Sequence, residues 1–228
     1  MCVTVFVGFA PSFYLRPLLQ DRFGLPPLPS RLVVVHGVVF SAWMLLLLLQ
    51  TSLVAARRVR WHRRTGVGAA IVAALMVIIG VAAQVAQTHR TVASGEYETT
   101  ILLENGLTIG ALLNITLFGA LTAAAVHFRR RPDVHRRLVV LANIPLLLAA
   151  VGRIIFIFGL PQALLYVFPQ PAFIAALATN DLRTDRRVHP ATLWASIPII
   201  AIYALPLTPL YGSAAASAFT RWVAALVS

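Results

Sequence analysis

Residues 32–56 read LVVVHGVVFSAWMLLLLLQTSLVAA, and residues 57–64, which follow directly, read RRVRWHRR. The first stretch carries no formal charge and, at about 1.5 Å per residue, is long enough to cross the roughly 30 Å hydrocarbon core of a bilayer as a helix. The second is an arginine run of the kind that holds a connection on the cytoplasmic side of a membrane. The same alternation recurs along the chain. Near-continuous apolar runs cover Gly66–Ala86, Leu107–Val126, Leu138–Phe158, Leu160–Ala178 and Ala191–Leu210, and a shorter one, Val3–Leu15, is interrupted by Pro11. Membrane strands are about ten residues long and alternate polar with apolar positions, which these runs do not. The pattern therefore predicts an all-α, polytopic membrane helical bundle of about seven transmembrane helices, in a single domain over residues 1–228.

Composition agrees. The chain is 59% hydrophobic and 11% charged, with a mean hydropathy of +0.84, against roughly 45–50% and about 25% in an ordinary soluble domain. All 19 basic residues are arginine, and 7 acids leave a net charge of +12. In a soluble protein that balance would point to nucleic acid. Here the arginines cluster in short connections between apolar runs, so the expected partner is the lipid bilayer and not nucleic acid. Cys2 is the one cysteine, which excludes an internal disulfide and any multi-cysteine metal site.

Two of the seven runs are unusual. Val3–Leu15 is shorter than a span needs, and is expected to be a re-entrant piece or the remainder of a longer helix. Leu160–Ala178 contains Pro161, Pro169 and Pro171, which predicts a kink or partial re-entry. At the other end of the chain, Phe219, Trp222, Val223 and Leu226 recur at helical spacing within Tyr211–Ser228, predicting a C-terminal interfacial helix.

Arginine placement predicts orientation. The connections Arg57–Thr65, His127–Arg137 and Asn180–Pro190 are arginine-rich, whereas Gln87–Gly106 holds one arginine against Glu96, Glu98 and Glu104. By the positive-inside rule the first three are cytoplasmic and the last external. The N-terminus is then cytoplasmic, and the protein is a multi-pass protein of a bacterial inner membrane.

Three constellations could carry chemistry. His62, His135 and His189 each stand in an arginine-rich connection about where the next run begins, a weak internal repeat, and would share one membrane face. Imidazole is the commonest metal ligand and an axial haem ligand. No spacing such as His-x-x-x-His fixes two ligands on one helical turn, and neighbouring arginines repel a bare cation but would welcome haem propionates. No bare metal site is therefore expected, and the candidate cofactor is b-type haem; the competing reading is interfacial histidines bonding headgroups or carbonyls. The second constellation is His36, Trp43 and Gln50, which recur every seven residues and so share one helix face with a drift of about 20° per step. Such a stripe turns toward protein or a cavity more readily than toward lipid, either for packing or, at His36, to ligate haem or relay protons. The third is Arg153, deep in Leu138–Phe158, for which Glu104 is the nearest expected counter-ion. An unpaired intramembrane arginine costs at least about 2.5–3.5 kcal/mol. His36, Glu104 and Arg153 would then mark an external-side ligand pocket, with Gln84, Asn105 and Gln162 beside it. No Walker A motif, glycine-rich dinucleotide fingerprint, Gly-x-Ser-x-Gly elbow or His-Glu-x-x-His is present, so no enzyme class is assigned.

Phe13-Tyr14-Leu15-Arg16-Pro17, Leu25-Pro26-Pro27-Leu28-Pro29, His36-Gly37, Phe40-x-x-Trp43, Gln50-Thr51 and His62-Arg63-Arg64-x-Gly66 together resemble a group of bacterial multi-pass membrane proteins. His135-Arg136-Arg137-Leu138, Arg153, Asp181-Leu182-x-Thr184 and Arg187-Val188-His189-Pro190-Ala191-Thr192-Leu193-Trp194 extend the resemblance along nearly the whole chain. That group has no established activity, so the resemblance implies the architecture alone. A looser similarity to cytochrome b-type membrane proteins rests on histidines in a helical bundle, and their paired intramembrane ligands are not reproduced. Three functional expectations follow: a haem or other redox-cofactor protein, with a homo-oligomeric or respiratory-chain partner; a transporter or small-molecule- or lipid-binding protein using an intramembrane polar pocket of His36, Trp43, Gln50, Glu104 and Arg153; or an assembly scaffold.

Overall fold

The computed structural model describes residues 1–19, 30–161 and 170–227, and every regular element among them is helical. Helix α1 (Cys2–Phe9) runs into a π-helical turn, Ala10–Tyr14, and a short α2 (Arg16–Leu19). The π-turn falls where Pro11 has no N–H to offer a regular ladder. Next come α3 (Arg31–Ala55), α4 (Val59–Ala93), α5 (Ile101–His127), α6 (Pro132–Asn143), α7 (Leu147–Ile157), α8 (Gln170–Asp185), α9 (Pro190–Ala204) and α10 (Ala214–Ala224). Five segments are long and apolar enough to cross a membrane: α3, α4, α5, α6 with α7, and α9 with the 3-10 turn after it. The N-terminal run forms a shorter apolar helix over Cys2–Tyr14. Of the predicted run Leu160–Ala178, residues 162–169 lie outside the described residues, and the remainder from Gln170 is the start of α8.

The helices extend well past the apolar runs. α4 has 35 residues, about 52 Å at the helical rise, so it overshoots the hydrocarbon at both ends. Residues expected in loops, His62 among them, therefore sit on helical turns, and the connection between α3 and α4 shrinks to residues 56–58. Ser30 caps α3 by accepting from Val33 N, and Ser213 caps α10 by accepting from Ala216 N.

The α6–α7 segment is the centre of the bundle, with 56% of its most apolar window buried against 11% for α3. Pro145 interrupts it, and the residues around the break (Leu141, Ile144, Leu147, Ala150) are fully enclosed. They pack with Val5, Phe118 and Trp43 in one core. Gly8 of α1 lies so close to α7 that a Cβ there would stand 2.4 Å from the Ala150 carbonyl oxygen. Only a residue without a side chain permits that approach, and it locks the short N-terminal helix against the core.

Helix α10 lies across one end of α4 and α5. It buries Ala216, Thr220, Val223 and Ala224, while Phe219, Trp222 and Leu226 of the predicted apolar face stay exposed. Small residues allow the close approach to protein, and the large ones are left for the lipid side.

Candidate functional site

The three arginine-rich connections meet at one end of the bundle, and two of the three expected histidines come together there. The rings of His62 on α4 and His135 on α6 lie 6.3 Å apart between centroids with planes at 75°. Each ring is held through Nδ1. That of His135 lies 2.7 Å from the carbonyl oxygen of Ala125 on α5, and so donates to it. That of His62 faces the Gln50 carboxamide of α3. With the amide turned to satisfy all its neighbours, the Gln50 nitrogen donates to Nδ1 at 2.5 Å and to the His62 carbonyl at 3.2 Å, while its oxygen accepts from Thr65 Oγ1 and Gly66 N. The two Nε2 atoms are therefore what remains for anything held between the rings. Both histidines are half-buried, with exposed Arg63, Arg64 and Arg136 beside them in the chain.

His189 does not join this pair, which corrects the expectation of a three-histidine cluster. Its Nδ1 accepts from Ala191 N at 3.1 Å, capping α9, and its Nε2 lies 3.2 Å from Asp133 Oδ2. Both ring nitrogens are occupied by these roles. The elements that bring α6, α8 and α9 together explain why. Arg137 is 1% exposed and pairs with Asp181, itself 0% exposed, at 2.6 Å, and with Asp185 at 2.6 Å. The remaining Arg137 donor goes to the Asp133 carbonyl. Asp181 accepts in addition from Thr192 Oγ1 at 2.6 Å and from His189 N at 3.2 Å. Burial pushes the Asp181 carboxyl up, but hydrogen bonds from Arg137, Thr192 and the His189 amide outweigh it and hold the group below the usual aspartate range. The sequence reading missed this network. Its legible signal was two acids four residues apart, Asp181 and Asp185, inside an arginine-rich connection, opposite an Asp133–Arg137 pair at the same spacing.

The seven-residue stripe on α3 faces α4 and the core. Trp43 is buried, donates to Asn143 Oδ1 at 2.8 Å and meets Phe118 edge-on at 5.2 Å. His36 is half-buried, stacks on Phe40 and faces α4 at Gly80. Gln50 is bonded to α4 as described. The polar atoms of Trp43 and Gln50 are matched by protein partners, while the His36 ring makes its described contacts by packing.

The expected pocket around Arg153 is not assembled as drawn. Arg153 is exposed; its guanidinium donates to Ala149 O, one turn back at 3.1 Å, and stacks 4.3 Å over the Phe9 ring. It lies within electrostatic range of His36, whereas Glu104 stands near Thr91 and Glu96 and forms no ion pair with Arg153. Phe9 supplies a cation–π contact, which the sequence reading had not considered. Gln84 bonds to Thr88, and Asn105 bonds to Tyr97, to the Tyr211 carbonyl and to Ser217. Both therefore serve packing at the far end of the bundle, and Gln162 lies outside the described residues.

Among the described residues no three histidine, cysteine, aspartate or glutamate side chains converge as a metal site. Comparison with protein-family models, with curated proteins and with solved structures finds no match to this chain.

Proposed function

We propose that the chain is a bacterial inner-membrane protein that holds a b-type haem between His62 and His135 and serves electron transfer or respiratory-chain support. The observation that carries this reading is the 6.3 Å separation of the two imidazole centroids. Each ring nitrogen lies about 1 Å from its ring centre, so at this separation no direct hydrogen bond joins the two rings, and the two imidazoles would be the protein's ligands to the haem iron. His135 Nδ1 already donates to the Ala125 carbonyl, which is the outer support that fixes a metal-bound histidine. Two protein ligands with no third acid or thiolate suit haem, whose macrocycle supplies the other four. The neighbouring arginines would neutralise propionates, and would repel a bare cation.

Coordination through His62 Nε2 would need the ring proton on Nδ1, so haem binding would require the Gln50 carboxamide to turn from the donor orientation described above and present its oxygen to the ring. The transport reading is less well supported, because the polar atoms of Trp43 and Gln50 are engaged with Asn143 and α4. The positive-inside rule puts the arginine-rich end in the cytoplasm, and labelling of a cysteine placed near Arg130 by an impermeant reagent applied from the periplasm would reverse that orientation.

The test of the cofactor is absorbance and iron content of protein purified from haem-replete membranes. A Soret band is expected in the natural protein and in His189→Leu, and its loss in His62→Leu and in His135→Leu. Protein that is folded but has neither Soret band nor iron overturns the proposal.

A further inference from the structure

The arginine-rich end carries a second assignment, independent of any cofactor. Of the described acids only Asp133, Asp181 and Asp185 stand at this end, since Glu96, Glu98 and Glu104 lie around the opposite connection. The structure consumes all three. Arg137 takes Asp181 and Asp185, and His189 takes Asp133. Every other arginine of the three connections is exposed and, among the described residues, in no ion pair.

Two of these arginines are held at a cost. Arg57 (φ 57°) and Arg186 (φ 56°) are the described non-glycine residues with positive φ, and they stand in the tight turns α3–α4 and α8–α9. A left-handed residue with a side chain is strained, and glycine is the usual occupant. Two separate turns that each place an arginine where glycine would relieve strain, on the same face, point to a use for the charge. Trp61 and Trp194 flank them, 53% and 73% exposed. Exposed tryptophans at the ends of membrane-length helices mark the boundary between acyl chains and headgroups, so the arginines stand at phosphate depth.

We infer that this face is a binding surface for anionic phospholipid headgroups, with Arg57 and Arg186 as two of its contacts. A basic residue near an anionic leaflet contributes on the order of a fivefold factor in association.

The experiment uses full-length protein in phosphatidylcholine vesicles containing increasing brominated phosphatidylglycerol or, in parallel, brominated phosphatidylcholine. Quenching of tryptophan fluorescence then gives a relative association constant. The natural protein is expected to prefer the anionic lipid, with the preference falling as salt rises. The variant R57G/R186G should lose roughly 25-fold of that preference, the product of two such factors. Its thermal stability in phosphatidylcholine should be equal or higher, because the strain is relieved. Equal quenching by the two lipids in the natural protein would overturn the inference, as would full preference in the double variant. So would a polyanion such as heparin binding the detergent-solubilised protein when no lipid preference exists, which would assign the face to a soluble partner. A double variant that is less stable in phosphatidylcholine would show that the two arginines serve the fold.

Discussion

The two ends of the bundle are tied by different chemistry. At the arginine-rich end, α6, α8 and α9 are joined by formal charge: Arg137 reaches two carboxylates, and Asp181 accepts from Arg137 of α6, from Thr192 of α9 and from the amide of the α9 cap, His189. At the opposite end, α4, α5 and α10 are joined by neutral groups. Thr88 meets Thr108 at 3.0 Å, Tyr97 donates to Asn105, and the Asn105 amide reaches the Tyr211 carbonyl and Ser217. Among the described residues the one ion pair there, Arg221–Glu98, has both partners more than half exposed. The contrast follows from topology. Arginines that fix orientation must be many at one end, and a carboxylate among them is drawn to the best-placed guanidinium. An end without that excess closes on hydroxyls and amides, whose desolvation costs less.

If this comparison is right, the largest effect belongs to Asp181→Leu. Removing Asp181 leaves the buried Arg137 with Asp185 as its remaining carboxylate, so the loss falls at the lower end of the range of about 3–5 kcal/mol typical of a buried pair broken on one side. Asp181 is sealed by its own partners at the end of the bundle and is not deep in it, so about 3 kcal/mol is the expected loss in detergent unfolding. Asp181→Leu combined with Arg137→Leu should recover part of it. A double variant worse than the sum of the singles would break the comparison.

Acid should separate the ends as well. The folded Asp181 carboxyl sits below its ordinary value near about 3.9. Its contribution is therefore complete above that value and lost as pH falls through the lower folded one. Thermal unfolding should be flat in this respect from pH 7 to about pH 5 and drop below about pH 4, with a shallower drop in Asp181→Asn. An Asp181→Asn profile parallel to that of the natural protein would remove the carboxylate from the account.

At the neutral end, Asn105→Leu strands the Tyr97 hydroxyl and removes one donor from the Tyr211 carbonyl, and about 2 kcal/mol of stability should be lost. Limited proteolysis after α5 should show α10 released first. The smallest effect is that of Arg221→Gln, about 0–1 kcal/mol at low salt and nothing measurable at high salt. A larger loss would mean that the exposed pair, and not the amide network, holds α10.

The candidate site was half legible in the chain. His62 and His135 could be named because each stands beside a span among arginines, but their meeting depends on α4 and α6 beginning at the same end on either side of α5. His189 has the same local signature and a different fate, since the turn before α9 makes it a cap. Arg153 was legible as a costly charge, and its partner was not: α1 crosses α7 at Gly8 and brings Phe9 under the guanidinium.

The sequence by itself determined the helical, membrane-length architecture, because apolar run length and arginine placement are local properties that a bilayer reads directly. It also determined that the polar stripe of α3 would face protein, since hydrocarbon offers His36, Trp43 and Gln50 no partner. Only the tertiary structure decided which of the charges in the arginine-rich connections are spent and which are free. Arg137 differs from Arg136 by one residue and about 100° of helix rotation, which puts one side chain in a closed ion-pair network and leaves the other exposed. Pairing over such distances is a matter of how helices cross, and a one-dimensional pattern does not carry it.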